Sequence, residues 1–347
     1  VDQFCATYDA VVLVDHSSHY WGKYRLLPTI IAAQEMHTSE LFQIDLLIHI
    51  GEEQGDYYTD YTVRKSKEVW RISEDGEIRD PYKKLTNVFE MRELDFFSHY
   101  AVEGNSKHGY LDDWKAETKQ LYDQIPELPF SNIWIAQHTI PKFPKEAVLE
   151  LGVSNTMRSW TFFDFNEEIY TLANTGCRGI DGAIPTALGM SLAHPDRAHY
   201  AVMGDLTFFY SFNVLGNRHV SENLRILLIN NECGLEFNLY PNRAYKIYEG
   251  NKEMINRYIA AGGHTGTKKN LVKHYAEDLG FTYLFATSKE EYLQNLDTFL
   301  QTKTDKPMLF EVFTDTDAEN QALKEIRNVK KDASAFLKKA VIKVIKR

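Results

Sequence analysis

Short apolar runs closed by Gly, Asp or Asn recur along the chain, with stretches of helical spacing between them. Ala10-Val11-Val12-Leu13-Val14 stops at Asp15, residues 45–51 end on a glycine, and residues 68–72 alternate before Asp75-Gly76. Each reads as a strand with a turn behind it. Residues 88–124 read as largely helical and connecting. Beyond them the pattern strengthens. Residues 146–152 are a helix candidate, 156–163 open a helix or turn, and 170–174 form a strand before the glycine-rich stretch 176–182. The small residues of 183–193 predict a close-packed helix. Strands are predicted at 200–203, 224–229 and 306–313, and helices at 208–219, 275–279 and 290–300. Strand and helix in alternation predict an α/β fold: two domains with mainly parallel sheets flanked by helices.

The segment from Ile125 to Pro144 carries four of the ten prolines, which places a boundary near residue 125. The 347 residues suit two domains at roughly 100–200 residues each, 1–125 and 126–347. No internal repeat or low-complexity tract occurs.

Composition narrows the function classes. Hydrophobic residues at 44% and charged residues at 25% fit a globular protein. A formal net charge of −10 with no dense basic run before residue 338 argues against nucleic acid as a partner. The tail 338–347 alternates basic and apolar residues, the pattern of a solvated amphipathic helix end. No apolar segment is long enough to span a membrane. Three scattered cysteines, Cys5, Cys177 and Cys233, form neither a zinc pattern nor a disulfide framework, which fits a cytoplasmic location. The first residue is Val, without a signal-peptide order; it is expected to be a cut inside a longer protein or a trimmed end.

Three consecutive predicted strands end in polar loops: Asn174-Thr175-Gly176, Gly204-Asp205 and Asn230-Asn231. Loops after parallel strands gather at one edge, where ligands of such sheets bind. A carboxylate and a side-chain amide suit a hard cation such as Mg²⁺, which shares its octahedron with phosphate oxygens. Glycines let backbone N–H groups approach a phosphate. The residues alone therefore point to a magnesium-diphosphate site with Asp205 and Asn231 as ligands. Each loop by itself is equally an ordinary turn; their pairing across a strand–helix–strand unit carries the signal.

Gly204-Asp205-Leu206 followed by Asn230-Asn231 resembles the motif of the thiamine-diphosphate enzymes. Leu206, with Gly179-Ile180-Asp181-Gly182, Ala187-Leu188-Gly189, Asn213 and Thr314-Asp315-Thr316-Asp317, resembles one branch, the menaquinone-pathway 2-succinyl-5-enolpyruvyl-6-hydroxy-3-cyclohexene-1-carboxylate synthases. Residues 45–55 and 69–81 resemble that family's middle domain. The resemblance implies that 1–125 is a transhydrogenase-like middle domain and 126–347 the diphosphate domain of a decarboxylating synthase. It implies side-chain ligation of Mg²⁺ by Asp205 and Asn231 and carbonyl ligation by Cys233. Thiamine diphosphate would lie against Asn174, Gly176, Gly179, Ile180, Asp181, Gly204, Leu206 and Phe237. Ile180 would hold the cofactor bent, and Ser154 with Arg158 would bind a substrate carboxylate, for which an arginine fork is suited. Phe237 would line the same pocket. Core packing for Ile180 and Phe237, and a helix-cap serine beside a surface arginine, are the competing readings.

Two positions depart from the family. Thr175 stands where it has an arginine, with Arg178 a possible substitute, and Glu236 stands where it has an aliphatic residue. Both bear on whether the substrates are 2-oxoglutarate and isochorismate. His138, His219 and Glu232 are further polar candidates. The family's pyrimidine domain, with its activating glutamate, has no counterpart in 1–347, so a missing N-terminal part or a partner chain is expected to supply it. The isolated chain is then expected to be inactive, and the catalytic glutamate is not among its residues. The implied partners are a 2-oxo acid, an acceptor and a second subunit. The alternatives are a related enzyme acting as a decarboxylase or synthase on other substrates, and a non-catalytic subunit. No G-x-G-x-x-G follows a predicted strand, which leaves a nicotinamide enzyme without support.

Overall fold

The computed structural model describes residues 1–51, 56–104, 109–165, 169–176, 179–263 and 270–332. Cys177, Arg178, the end of the 45–55 stretch and the basic tail lie outside the described residues. Two compact units emerge: Val1–Pro126 with the chain from Glu325 onward, and Glu127–Lys324. The sequence reading had carried the second domain through to residue 347.

In the first unit, β1 (Val12–Leu13) pairs with β2 (Arg25–Leu26), and β3 (Leu46–His49), β4 (Glu68–Ser73) and β5 (Leu85–Glu90) form a parallel three-stranded sheet. Its core is aromatic, with Phe4, Phe96 and Phe97 packed on Ile72. The returning chain bridges Lys331 to Met36. There His37 lies between Glu117, 2.5 Å from its Nε2, and Asp332, 2.6 Å from its Nδ1.

In the second unit, β6 (Val148–Leu151), β7 (Tyr170–Leu172), β8 (His199–Gly204), β9 (Leu224–Asn230), β10 (Thr282–Ala286) and β11 (Met308–Phe313) form one sheet in the order β10-β11-β9-β8-β6-β7. Every pairing is parallel. The central strands are apolar almost throughout because helices cover both faces. Ala201, Met203, Ile226, Leu228 and Leu309 are buried against Ala183, Ile184 and Ala187 of the helix Ala183–Ala193. Fully burying one such side chain is worth about 1.5–3 kcal/mol. Ser288 starts the helix Lys289–Phe299 by accepting from the Glu291 N–H at 3.3 Å, an N-cap worth about 1 kcal/mol.

Residues 146–152 are not helical. Residues 148–151 instead pair in parallel with β7 and β8 as strand β6, and all four are buried. A short apolar run has no period that separates a buried strand from a buried helix. β5 and β10 lie where the sequence predicts no strand, and the helix expected over 208–219 is instead Asp205–Ser211 followed by a 3₁₀ stretch Phe212–Gly216. No described helix is long and apolar enough to cross a membrane.

Candidate functional site

Because all six strands run in parallel, their carboxyl ends share one edge. The chain passes from β6 to β7 on one side, then returns to β8 on the other side of β6 and continues to β9. The order reverses between β6 and β8, and ligands of open parallel sheets bind in the crevice outside such a reversal. The two backbones are close there. A Cβ on Gly152, just past β6, would lie 3.0 Å from Met203 Cβ and 3.2 Å from Met203 Cα.

Asp205 follows β8 directly and is 1% exposed. Its Oδ1 accepts from the Leu206 N–H at 2.8 Å. Gly204 is in register with Ile229 of β9, so Asp205 stands beside Asn230 and one residue short of Asn231, on strands about 4.8 Å apart. The turn after β9 is tied down by Asn230. Its Nδ2 donates to Glu311 Oε1 at 2.7 Å, and its Oδ1 accepts from the Glu232 N–H at 3.1 Å. Glu232 takes φ 61. Asn231 Oδ1 accepts from the Cys233 thiol at 3.4 Å. Burial first, and the Asp205 charge second, push that thiol up to about 11, so it remains an S–H donor. The Asn231 oxygen and the Asp205 carboxylate are hard donors from adjacent strand ends. Among the described residues no group of three His, Cys, Asp or Glu is suited to a metal. One carboxylate and one amide fit instead a cation whose remaining ligands are phosphate oxygens and water.

The glycines leave room at this edge. A Cβ at Gly176 or Gly204 would meet no atom of the described residues within 4 Å. Gly182 adopts φ 90, and a Cβ there would come within 3.0 Å of the Asn174 amide, whose Nδ2 donates to Thr186 Oγ1 at 3.2 Å. Asn174 is thus fastened to the first turns of the helix Ala183–Ala193. The exposed Asp181 carboxylate lies over Gly179, and Ile180 is half-buried. Leu206 and Phe237 converge on Gly234, each 3.5 Å from where its Cβ would stand. Phe237 also packs on the small core of Cys233, Ile255 and Ala260.

Ser154 and Arg158 come together around Glu236. Arg158 pairs with Glu236 Oε2, and Ser154 Oγ donates to the same oxygen at 3.4 Å. Asn242 Nδ2 donates to Oε1 at 3.2 Å. A cavity of about 850 Å³ opens beside the ends of β9, β10 and β11; Asn231, Glu232, Thr314, Asp315 and Thr316 are among its lining. It shares Asn231 with the crevice, but Asp205 does not line it. The crevice, with the buried carboxylate, is the better place for a cation. The other polar candidates lie apart in role: His138 stacks on Trp134 at 3.9 Å and bonds its carbonyl, while His219 and Asn213 are exposed.

Sequence reasoning missed Glu311 and Asn242, and it read Glu236 without its arginine partner. Glu311 is buried and accepts from Asn230 and Tyr283, each at 2.7 Å; burial raises its pKa against those two bonds. Its signal was present as the one charged residue inside an apolar strand. Asn242 caps its own helix through Ala244 N–H at 2.8 Å and gave no separate signal.

Residues 152–312 match the family "Thiamine pyrophosphate enzyme, C-terminal TPP binding domain". The chain is 32% identical over 261 residues to a 2-succinyl-5-enolpyruvyl-6-hydroxy-3-cyclohexene-1-carboxylate synthase of Phocaeicola vulgatus, covering 75% of this chain and 44% of that protein. The figures are the same for the synthase of Bacteroides thetaiotaomicron. For that of Flavobacterium psychrophilum they are 29% over 282 residues, 79% of this chain and 48% of the relative. The chain spans about half the length of the curated relatives it matches.

Proposed function

We propose, from the premise that residues 152–312 belong to the thiamine pyrophosphate enzyme family, that this chain is the C-terminal part of a thiamine-diphosphate-dependent, 2-oxo-acid decarboxylating synthase. The observation that carries the proposal is the delivery of Asp205 and Asn231 from neighbouring parallel strand ends, beside the reversal of strand order. Asp205 and Asn231 hold Mg²⁺ by side-chain oxygens and Cys233 by its carbonyl. The backbone at Gly176 and Gly204, where no side chain of the described residues fills the space, receives the diphosphate. Asn174, Gly179, Ile180, Asp181, Leu206 and Phe237 border the rest of the cofactor. When bound, thiamine diphosphate supplies an electron sink for loss of carbon dioxide. The chain's own residues anchor, orient and shield it from water. A pyrimidine-binding domain with an activating glutamate comes from elsewhere in the full protein or from a second subunit, in a homo-oligomer of the cytoplasm.

The pairing of Arg158 with Glu236 favours a second reading in which the reaction class is kept and the acidic substrates of the named relatives are not.

Calorimetric titration of thiamine diphosphate into the chain tests the first reading. Binding is expected with Mg²⁺ and lost with excess chelator, and Asp205→Asn is expected to weaken it at least tenfold, about 1.4 kcal/mol. Equal binding with and without the metal would sink it.

A further inference from the structure

We infer that Glu236 is a tethered occupant of a carboxylate cradle made by Arg158, Ser154 and Asn242, and that it restricts the 2-oxo acid accepted at this edge to one with an uncharged side chain. The inference rests on the reaction class proposed above and names the substrate chemistry of that same crevice.

Three donors from three places converge on one carboxylate. Arg158 comes from the helix Asn155–Trp160, Ser154 from the turn that leaves β6, and Asn242 from the cap of the helix Arg243–Ile247. They contact both Glu236 oxygens. An arginine with two neutral donors is a fork suited to a carboxylate in general, not to this one alone. Ser154 shows that the arrangement is held against local preference. It adopts φ 73 and ψ −128, a region that a residue with a Cβ rarely occupies and that marks functional sites when it is kept. It sits at the N-cap of its helix, yet its hydroxyl makes no capping bond and turns to Glu236 instead.

The location ties the cradle to the crevice. Ser154 leaves β6 at the reversal of strand order, while Glu236 lies between Gly234 and Phe237, the segment that meets Leu206 beside Asp205. The pair is also reachable: the Arg158 side chain is 16% exposed and that of Glu236 29%. One guanidinium and one carboxylate leave the cradle without net charge. An incoming carboxylate has to displace a tethered one, whose effective concentration is of order millimolar or above, and it then faces Glu236 as a like charge. A second carboxylate on the substrate therefore gains nothing here, while an uncharged side chain meets no such penalty.

The test uses the 347-residue chain with Mg²⁺ and thiamine diphosphate, titrated with 2-oxoglutarate and with 2-oxobutyrate. The wild-type chain is expected to bind 2-oxobutyrate about tenfold more tightly than 2-oxoglutarate. Glu236→Ala is expected to tighten 2-oxoglutarate about tenfold and leave 2-oxobutyrate unchanged, and Arg158→Ala in that background to remove the gain. Succinate titrated without cofactor gives the same comparison when the cofactor site itself fails, so the two ideas are separable. A wild-type chain that binds 2-oxoglutarate as tightly as 2-oxobutyrate, or more tightly, would overturn the inference, and this needs no variant to fold. A folded Glu236→Ala chain without the selective gain would overturn it too, reducing Glu236 to a structural strap.

Discussion

Glu150 offers a prediction whose size follows from the structure. It lies within β6, opposite Ala201 of β8 and Leu172 of β7. It is 1% exposed, and among the described residues neither carboxyl oxygen has a hydrogen-bond partner. Burial alone pushes its pKa up to about 8, from the usual 4.5. The folded protein therefore holds Glu150 as a neutral acid at pH 7, while the unfolded chain ionises it freely. Between the two values the unfolded state binds fewer protons, so stability falls as pH rises from about 4.5 to about 8 and is level beyond. Each pH step is worth about 1.4 kcal/mol, so ionisation favours unfolding by about 3 kcal/mol at pH 7 and about 4 kcal/mol at pH 8. Glu150→Met keeps the length and removes the titration. Denaturant midpoints of both proteins between pH 5 and pH 8 give the comparison. The variant is expected to be the more stable, by a margin that grows about 4 kcal/mol across that range. A margin that stays constant with pH would refute the reasoning, because Glu150 would then have a partner that satisfies its charge.

Gly152→Ala places a methyl group 3.0 Å from Met203 Cβ and is expected to destabilise by about 1–3 kcal/mol, read from thermal unfolding. Ser154→Gly relieves a conformation with φ 73 and is expected to stabilise by about 1 kcal/mol in the same assay; a loss would show that the bond to Glu236 outweighs the strain. Glu311→Leu removes the acceptor that holds Asn230 and is expected to weaken Mg²⁺-dependent cofactor binding more than tenfold, with Glu311→Gln restoring most of it. Equal behaviour of the two variants would remove Glu311 from a positioning role.

The legible parts of the fold were those with their own punctuation. The strands ending at Gly204-Asp205 and Asn230-Asn231 announce themselves because a buried apolar run stops at a polar turn, and the helix Ala183–Ala193 because small residues permit close packing on the sheet. β6 was misread because Val148-Leu149-Glu150-Leu151 is buried on both faces and shows no alternation. β10 was missed because Phe285 is half exposed at the sheet edge and Thr282 to Leu284 are only partly buried. At the site, turn residues could be read singly, but the company they keep could not. The Arg158–Glu236 pair joins positions 78 residues apart, and the Asn230–Glu311 bond spans 81. Such partners are decided by strand order, which local pattern does not encode.

The central claim is that Asp205 and Asn231 share one cation at the carboxyl edge of the sheet. Crystals of the chain grown with thiamine diphosphate and Mn²⁺ in place of Mg²⁺ locate the metal by its anomalous scattering. The account predicts a single strong peak about 2.1 Å from one oxygen of each side chain. A peak bound elsewhere, or side chains of Asp205 and Asn231 turned away from a common point, would contradict it.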